Sequence, residues 1–429
     1  MSGALIQLVS TGPQDKWLTA DPEISLFESV YSRYEIFSIE SIQQTISGNA
    51  DFGRHWSVEI DRSGDLVLDT VIEMTLPAVT VTGTNPGFQW APNIAQTILS
   101  KAEFKIGGLT IDTHYGDFYH AYIPLITDAS KKRGYDELIG QQVIQENSSN
   151  PANVIFSYSG LQTYATTQPQ TKCYLQLQFW YTKNAGLAFP LSSVLFNPVK
   201  IEFDFRPVTQ CYRTTGTGIT FTSGNIQMAE CQVYIDYAFI PNSIRDRFVN
   251  ECHNYLVHQL QVNNQGGDTV TGTNASIKLN FNHPTKELIY VVREQAAEAD
   301  VQWNNFETYN AAGPAGAAGQ ESVSTTRLTV SGRDRFSQRS GTLFTRYNPY
   351  KYHTAIPRQK GIGVIPLGLG LEDWVQPQGS LNFTRVENAT LILSLTNASA
   401  TNPVNVLVWG VNFNFLKVER GVAGLIYAA

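Results

Sequence analysis

Charge is what this 429-residue chain is short of: Asp, Glu, Lys and Arg make up only 16% of it, against roughly a quarter of an average soluble protein. Hydrophobic residues reach 42% and aromatic residues 11%. Depleted charge with abundant Tyr, Phe and Trp is the composition of interface cores, although a β-rich fold also uses little Lys and Glu. Basic residues are too sparse to neutralise a phosphate backbone. The net charge is −7, the isoelectric point about 5.6, and the single compact basic run is Lys131, Lys132, Arg133, so no direct nucleic-acid binding is expected. The four cysteines, Cys173, Cys211, Cys231 and Cys252, form no CxxC pair, which argues against a zinc knuckle and a dense disulfide framework and fits a reducing compartment. Long apolar runs are missing too: GIGVIPLGLGL (Gly361 to Leu371) is too short to span a bilayer and contains a proline. MSGALIQLVSTGPQDKW has no basic stretch ahead of its apolar run, so no secretory signal is expected.

What the chain has is period two. In WSVEIDRSGDLVLDTVIEMTLP, Trp56, Val58 and Ile60 alternate with polar residues. After RSGD, Leu66, Leu68, Ile72, Met74 and Leu76 recur at every second position apart from Thr70, which predicts a hairpin with one face in a core. Similar runs follow: AEFKIGGLTI, CYLQLQFWYT, VKIEFDFRP, CQVYIDYAFI, SIKLNF, ELIYVV, LTVSG, ATLILSL and VLVWGVNFNFLKV. Gly, Pro, Asn and Ser clusters separate them, and no βαβ rhythm appears. The pattern predicts an all-β protein of short antiparallel strands packed into sandwiches.

One mid-chain segment predicts a helix. Ser243 is a candidate N-cap, and Ile244, Phe248, Cys252 and Leu256 follow at fourfold spacing. A helix over 242–256 would connect two β-domains, 25–241 and 257–429, behind an N-terminal arm of 1–24. Two long polar segments, 128–171 and 310–322, lie one in each half, as matched insertions in two copies of one architecture would. FKIGG and LTVSG are a faint echo between the halves, each an alternating strand that stops at Gly.

Candidate sites are few. IDTHYGD sets Asp112 and His114 on one strand face with Asp117 just beyond Gly116, but a hydrolase or metal site needs a third partner and none offers itself. A strand end whose side chains cap a turn and pair locally is the expected role. In GRDRF, Arg333, Asp334 and Arg335 suit a solvated ion cluster, and Lys286 and Glu287 at a strand start look ordinary. No nucleophile elbow, phosphate loop or HExxH occurs. No catalytic, cofactor or metal residue is therefore expected, and no cofactor. Sequons at Asn147, Asn274, Asn382, Asn388 and Asn397 are candidate glycosylation sites, about as many as chance supplies in so Asn/Ser/Thr-rich a chain.

The ordered series LTADPEISLFESVYSRYEIFSIESIQQTI, FGRHWSVEIDRSGDLVLDTVIEMTLP, KIGGLTIDTHYGDF, FWYTKNAGLAFPL, LNFNHPTKELIYVV, VSGRDRFSQRSGTLF, YHTAIP, LNFTRVENATLIL and VNFNFLKVERGVAGLIYAA resembles the major capsid protein of the nucleocytoplasmic large DNA viruses, iridovirus and algal-virus type. It departs from that family's usual pattern at Ser32, Tyr34, Glu35 and Ala185. The resemblance implies a double jelly roll, two consecutive eight-stranded sandwiches. It implies a homotrimeric pseudo-hexagonal capsomer tiling an icosahedral shell, a virion location after assembly in the host cytoplasm, and scaffold roles for Asp112, His114 and Asp117. Expected partners are the chain itself, neighbouring capsomers and minor capsid proteins, with an internal membrane met at most indirectly. From position, the arm is expected on the inner side, the loops around Asn147 and Ala315 on the outer surface, and the uncharged tail GVAGLIYAA tucked into an interface. The alternatives are a monomeric or small-oligomer β-sandwich ligand-binding (lectin-like) module, and a jelly-roll carbohydrate enzyme in which Asp112 and Asp117 share a groove.

Overall fold

The computed structural model describes residues 2–140, 143–144, 157–158, 164–222, 224–309 and 320–427. Residues Met1–Phe37 form one unit and Ser38–Ala429 another. Among its described residues the first carries helices Gly3–Val9 and Lys16–Thr19 and no strand, so residues 25–37, expected in the first sandwich, lie ahead of its first strand at Ser38.

In the large unit eight strands of the first half build one sandwich. They are β1 (Ser38–Gln44), β2 (His55–Glu59), β3 (Leu66–Leu76), β4 (Leu99–Ile106), β5 (Leu109–Tyr115), β6 (Thr171–Gln176), β7 (Val199–Phe205) and β8 (Glu230–Phe239). Their sheets run β1-β8-β3-β6 and β2-β7-β4-β5, all antiparallel. The second half supplies β9 (His253–Val262), β10 (Asn274–Leu279), β11 (Pro284–Glu294), β12 (Val323–Val330), β13 (Arg333–Ser340), β14 (Ile362–Pro366), β15 (Ala389–Leu395) and β16 (Val404–Glu419). Its sheets run β9-β16-β11-β14 and β10-β15-β12-β13. Position for position this is the same order, in which successive strands repeatedly change sheets. That is jelly-roll connectivity, twice.

The shared order explains the faint echo. FKIGG and LTVSG both end the fourth strand of their half and turn into the fifth. It also corrects two expectations. Trp56–Pro77 is not a hairpin: β2 pairs with β7 while β3 pairs with β6 and β8, because alternation reports which face is buried but not which strand lies alongside. Within β3 the register shifts opposite Asp236/Tyr237, so Val67 rather than Leu66 or Leu68 faces the core. The two polar segments are not matched insertions either, since 128–171 follows the fifth strand of its half and 310–322 precedes the fourth. The loops around Asn147 and Ala315 fall outside the described residues.

The mid-chain helix is Asn242–Asn250, with Pro241 rather than Ser243 as its cap residue. It stops short of the expected 256 because HNYLVHQLQV alternates and pairs along β16, from His253 opposite Val418 to Val262 opposite Trp409. A full ladder of backbone hydrogen bonds overrides the fourfold spacing of Cys252 and Leu256.

Most strands bury one face, as in β7, where Val199, Ile201, Phe203 and Phe205 point inward. β11 and β16 bury both. Leu288, Tyr290, Val292, Val404, Val406 and Val408 fill the second sandwich's own core, while Ile289, Val291, Leu407, Trp409 and Val411 join the cluster that continues into the first. That is why ELIYVV and VLVWGV are apolar at nearly every position, and it makes this sheet the wall between the halves.

Candidate functional site: the seam between the two sandwiches

The IDTHYGD stretch lies at that wall. Gly116, where β5 gives way to helix α1 (Gly116–Ile126), packs so tightly that a Cβ would sit 2.1 Å from the Leu99 carbonyl oxygen. Only glycine fits. The close approach seats the residues on either side against the second sandwich.

Asp112 and His114 are both buried and form one end of a chain of polar contacts. The Gln178 backbone N–H donates to the Tyr119 hydroxyl (3.0 Å), which lies 3.0 Å from His114 Nδ1, and His114 Nε2 is 2.9 Å from Asp112 Oδ2. Asp112 Oδ1 accepts from Leu260 N–H at 3.0 Å. Leu260 belongs to the other sandwich, so the chain ends on its backbone. A general base needs a reachable substrate proton, and here both side chains are shut away from solvent.

Asp117 makes a second tie. Its Oδ1 receives Arg206 Nη2 at 2.9 Å and Arg293 Nη1 at 3.1 Å, one guanidinium from each half. Arg293 also bonds Glu298 (2.7 Å) and the Trp303 carbonyl (3.0 Å), and both guanidinium groups lie on the Trp303 ring, at 4.1 Å for Arg206 and 5.0 Å for Arg293. Burial alone would raise the Asp117 pKa, but Arg293 and Arg206 overcome it and hold the carboxyl well below the usual range. A cavity of about 330 Å³ opens beside Asp117, Arg206, Arg293 and Trp303. Asp112 and Asp117 are thus spent on separate locks and share no groove.

Lys286 and Glu287, expected to be ordinary, are fully buried on β11. Glu287 Oε2 lies 3.1 Å from His353 Nε2, whose Nδ1 is 2.9 Å from Glu372 Oε1. Lys286 Nζ donates to the Leu371 carbonyl (2.7 Å) and lies 3.9 Å from the Trp374 ring. Arg213 of the first half pairs with Asp300 of the second. Backbone ties complete the seam: Leu195 and Phe196 N–H donate to the Gly421 carbonyl, and Ala355 N–H to that of Leu125. Sequence reading missed Arg206, Arg293, Trp303, His353 and Trp374, since each sits in a loop or at a strand end where no period marks it. A Lys–Glu pair inside the apolar run of β11 was the one legible signal.

GRDRF lies on edge strand β13, where exposed Asp334 pairs with half-buried Arg327 at 2.7 Å and exposed Arg335 lies over half-buried Phe336. Of the sequons, Asn274, Asn382, Asn388 and Asn397 are exposed. The Asn397 side-chain amide donates to Glu294 (3.0 Å), and Asn147 falls outside the described residues. Among the described residues no group of His, Cys, Asp and Glu could hold a metal ion, and no helix is long and apolar enough to cross a membrane.

A double jelly roll with its polar side chains invested in a seam rather than a cleft is the build of a structural shell protein. Comparison with known proteins agrees. The family model described as the major capsid protein N-terminus matches residues 25–241, and that of the large eukaryotic DNA virus major capsid protein matches 245–424. The major capsid protein of Phaeocystis pouchetii virus is 32% identical, with all of both chains covered. A chain of the PBCV-1 virus capsid superposes with a TM-score of 0.73 at 26% identity, over 94% of this chain and 100% of that one. The Faustovirus major capsid protein shares the fold, with a TM-score of 0.77 at 14% identity over 97% and 96%. The chain belongs to the major capsid protein family of large eukaryotic DNA viruses. It is a structural protein of the virion capsid, not an enzyme, and the ligand-binding alternative is not favoured.

Proposed function

We propose that three copies of the chain close into a pseudo-hexagonal capsomer and that capsomers tile an icosahedral shell. The observation that carries this reading is the repeated strand order of the two halves, which differ in their connections. Six similar sandwiches around a threefold axis approximate a hexagon, and cyclic closure keeps the assembly finite. The seam suits the same purpose, because ion pairs and backbone bonds across it hold the two sandwiches of a chain at one angle. Obligate subunit interfaces of roughly 2,000 Å² or more are expected, and exposed Leu195, Phe196, Tyr350, Leu369 and Val375 are apolar groups such contacts would cover.

In this reading the chain divides into an arm over 1–37, a first sandwich whose strands run from Ser38 to Phe239, the connector helix Asn242–Asn250, and a second sandwich whose strands begin at His253. The arm meets neighbouring capsomers or minor capsid proteins on the inner side. Residues 1–37 expose Trp17, Leu26 and Phe27 and carry five carboxylates against Lys16 and Arg33, a composition suited to protein partners and ill suited to nucleic acid or an anionic membrane. Assembly proceeds in the host cytoplasm, and any glycan is carried by exposed sequons such as Asn388. Light scattering on the purified chain tests the reading. A particle of about three times the 47.6 kDa chain mass is expected, and a monomer at every concentration would overturn it.

A further inference from the structure

A void of about 20 Å³ on the seam has a lining that includes Tyr122, Trp180, Lys183, His258 and Trp374. Tyr122, Trp180 and His258 are each at least 95% buried, and the Tyr122 hydroxyl, Trp180 Nε1 and both His258 ring nitrogens have no hydrogen-bond partner in the protein. Native interiors rarely leave such groups alone. Two cations stand beside them: Lys183 Nζ is 5.0 Å from the Trp374 ring and 5.2 Å from that of Tyr122, and Lys286 Nζ is 3.9 Å from the Trp374 ring. Neither ammonium has a carboxylate within ion-pair distance among the described residues. Lys183 bonds the neutral Gln178 side chain and Lys286 a backbone carbonyl, while Glu287 and Glu372 lie against His353 and act on the two lysines only through space.

We propose that this void is a buried monovalent-anion site holding one chloride-sized ion between the two sandwiches. The donor count decides against water. Trp180 offers an N–H, Tyr122 an O–H, neutral His258 one N–H, and Lys183 two N–H beyond the one given to Gln178. The unfilled acceptors are only the bare His258 nitrogen and the Tyr122 oxygen. A water molecule could give its two hydrogens to those acceptors but accepts from only two of the five donors, whereas a halide accepts from every side. Burial pushes the Lys286 pKa down to about 8 and that of Lys183 to about 7, with Glu287 and Glu372 only partly offsetting it, and an anion beside them would favour their charged forms. Burial, with Lys286 and Lys183 beside it, pushes the His258 pKa down to about 2, so the ring stays neutral and donates through one nitrogen.

Crystals of the full chain grown in sodium bromide test this by anomalous diffraction. A bromide peak within hydrogen-bond reach of Trp180 Nε1 and the Tyr122 hydroxyl is expected. In parallel, chloride or bromide should raise the melting midpoint above that in gluconate at equal ionic strength, and Lys183→Met should abolish that difference while keeping the wild-type circular dichroism. An anomalous map with no peak in the void, or melting that ignores the halide in wild type, overturns the assignment. Both readings come from the unmodified chain, so a variant that fails to fold does not rescue it.

Discussion

Replacing Asp117 by Asn keeps the shape and the Oδ1 acceptor but removes the one negative charge that two buried guanidinium groups share. The Arg293 and Arg206 side chains are 3% and 8% exposed. Removing one partner of a buried pair costs about 3–5 kcal/mol, chiefly by stranding the charge left behind. Arg293 keeps Glu298 and the Trp303 carbonyl, but Arg206 loses its only ion-pair partner among the described residues, so about 3 kcal/mol is expected. Asp204→Asn is the control. Asp204 sits 2.7 Å from His55 with both side chains about half exposed, and such a pair contributes at most about 1 kcal/mol. Urea unfolding followed by tryptophan emission measures both, with Trp303 stacked on the guanidinium groups as a local reporter. The midpoint should fall clearly for Asp117→Asn at unchanged slope and scarcely for Asp204→Asn. The native Asp117 pKa is depressed, so its stabilisation is complete above the unfolded value near 4 and is lost only as pH falls through the native one. The gap between wild type and Asp117→Asn should therefore stay flat from pH 5 to 8. Equal midpoints for the two variants would refute the claim that this ion cluster locks the seam.

Burial would lower the His353 pKa, but Glu287 and Glu372 outweigh it and raise it to about 9. Its stabilisation is fully present below about pH 6.5 and lost as pH rises through 9. The stability gap between wild type and His353→Gln, on the order of a few kcal/mol, should shrink across that window in denaturation at stepped pH. Phe104 packs against Phe179, Trp180, Tyr181 and Phe189 at 5.0–5.7 Å, so Phe104→Ala should cost about 3–5 kcal/mol by thermal or urea unfolding. Gly116→Ala would push a methyl into the Leu99 carbonyl and should cost more than 1 kcal/mol, unlike Gly134→Ala, where a Cβ meets nothing. Deleting residues 2–37 should leave the unfolding midpoint of the remaining chain within a degree or two of wild type and weaken only higher assembly, read by particle counts in electron micrographs.

The fold was legible where a strand buries one face: β7, β10 and β15 announce themselves by alternation. It was legible again, through apolar runs, where β11 and β16 bury two. Partner choice was not. Trp56–Pro77 reads as a hairpin because adjacency in sequence is the only adjacency a pattern can show, and jelly-roll connectivity separates those neighbours into opposite sheets. The connector helix was overextended because Cys252 and Leu256 fit a helical period that the β16 ladder overrides. Asp112, His114 and Asp117 were visible as a cluster, and their structural role followed from the missing third partner. Their partners were out of reach: Leu260 is 148 residues from Asp112 and Arg293 is 176 from Asp117, and a contact at that range leaves no trace in local pattern. The same distance hid the two lysines around Trp374.

The central claim is that the two sandwiches of each chain, held at a fixed angle by the seam, are the repeating pair of a threefold capsomer. A cryo-electron microscopy map of the isolated particle tests it most directly. Three copies should appear as six sandwiches around one axis, with Asp117, Arg206 and Arg293 in contact in every copy. A map showing a single chain, or sandwiches that swing apart about residues 242–250 from copy to copy, would contradict it.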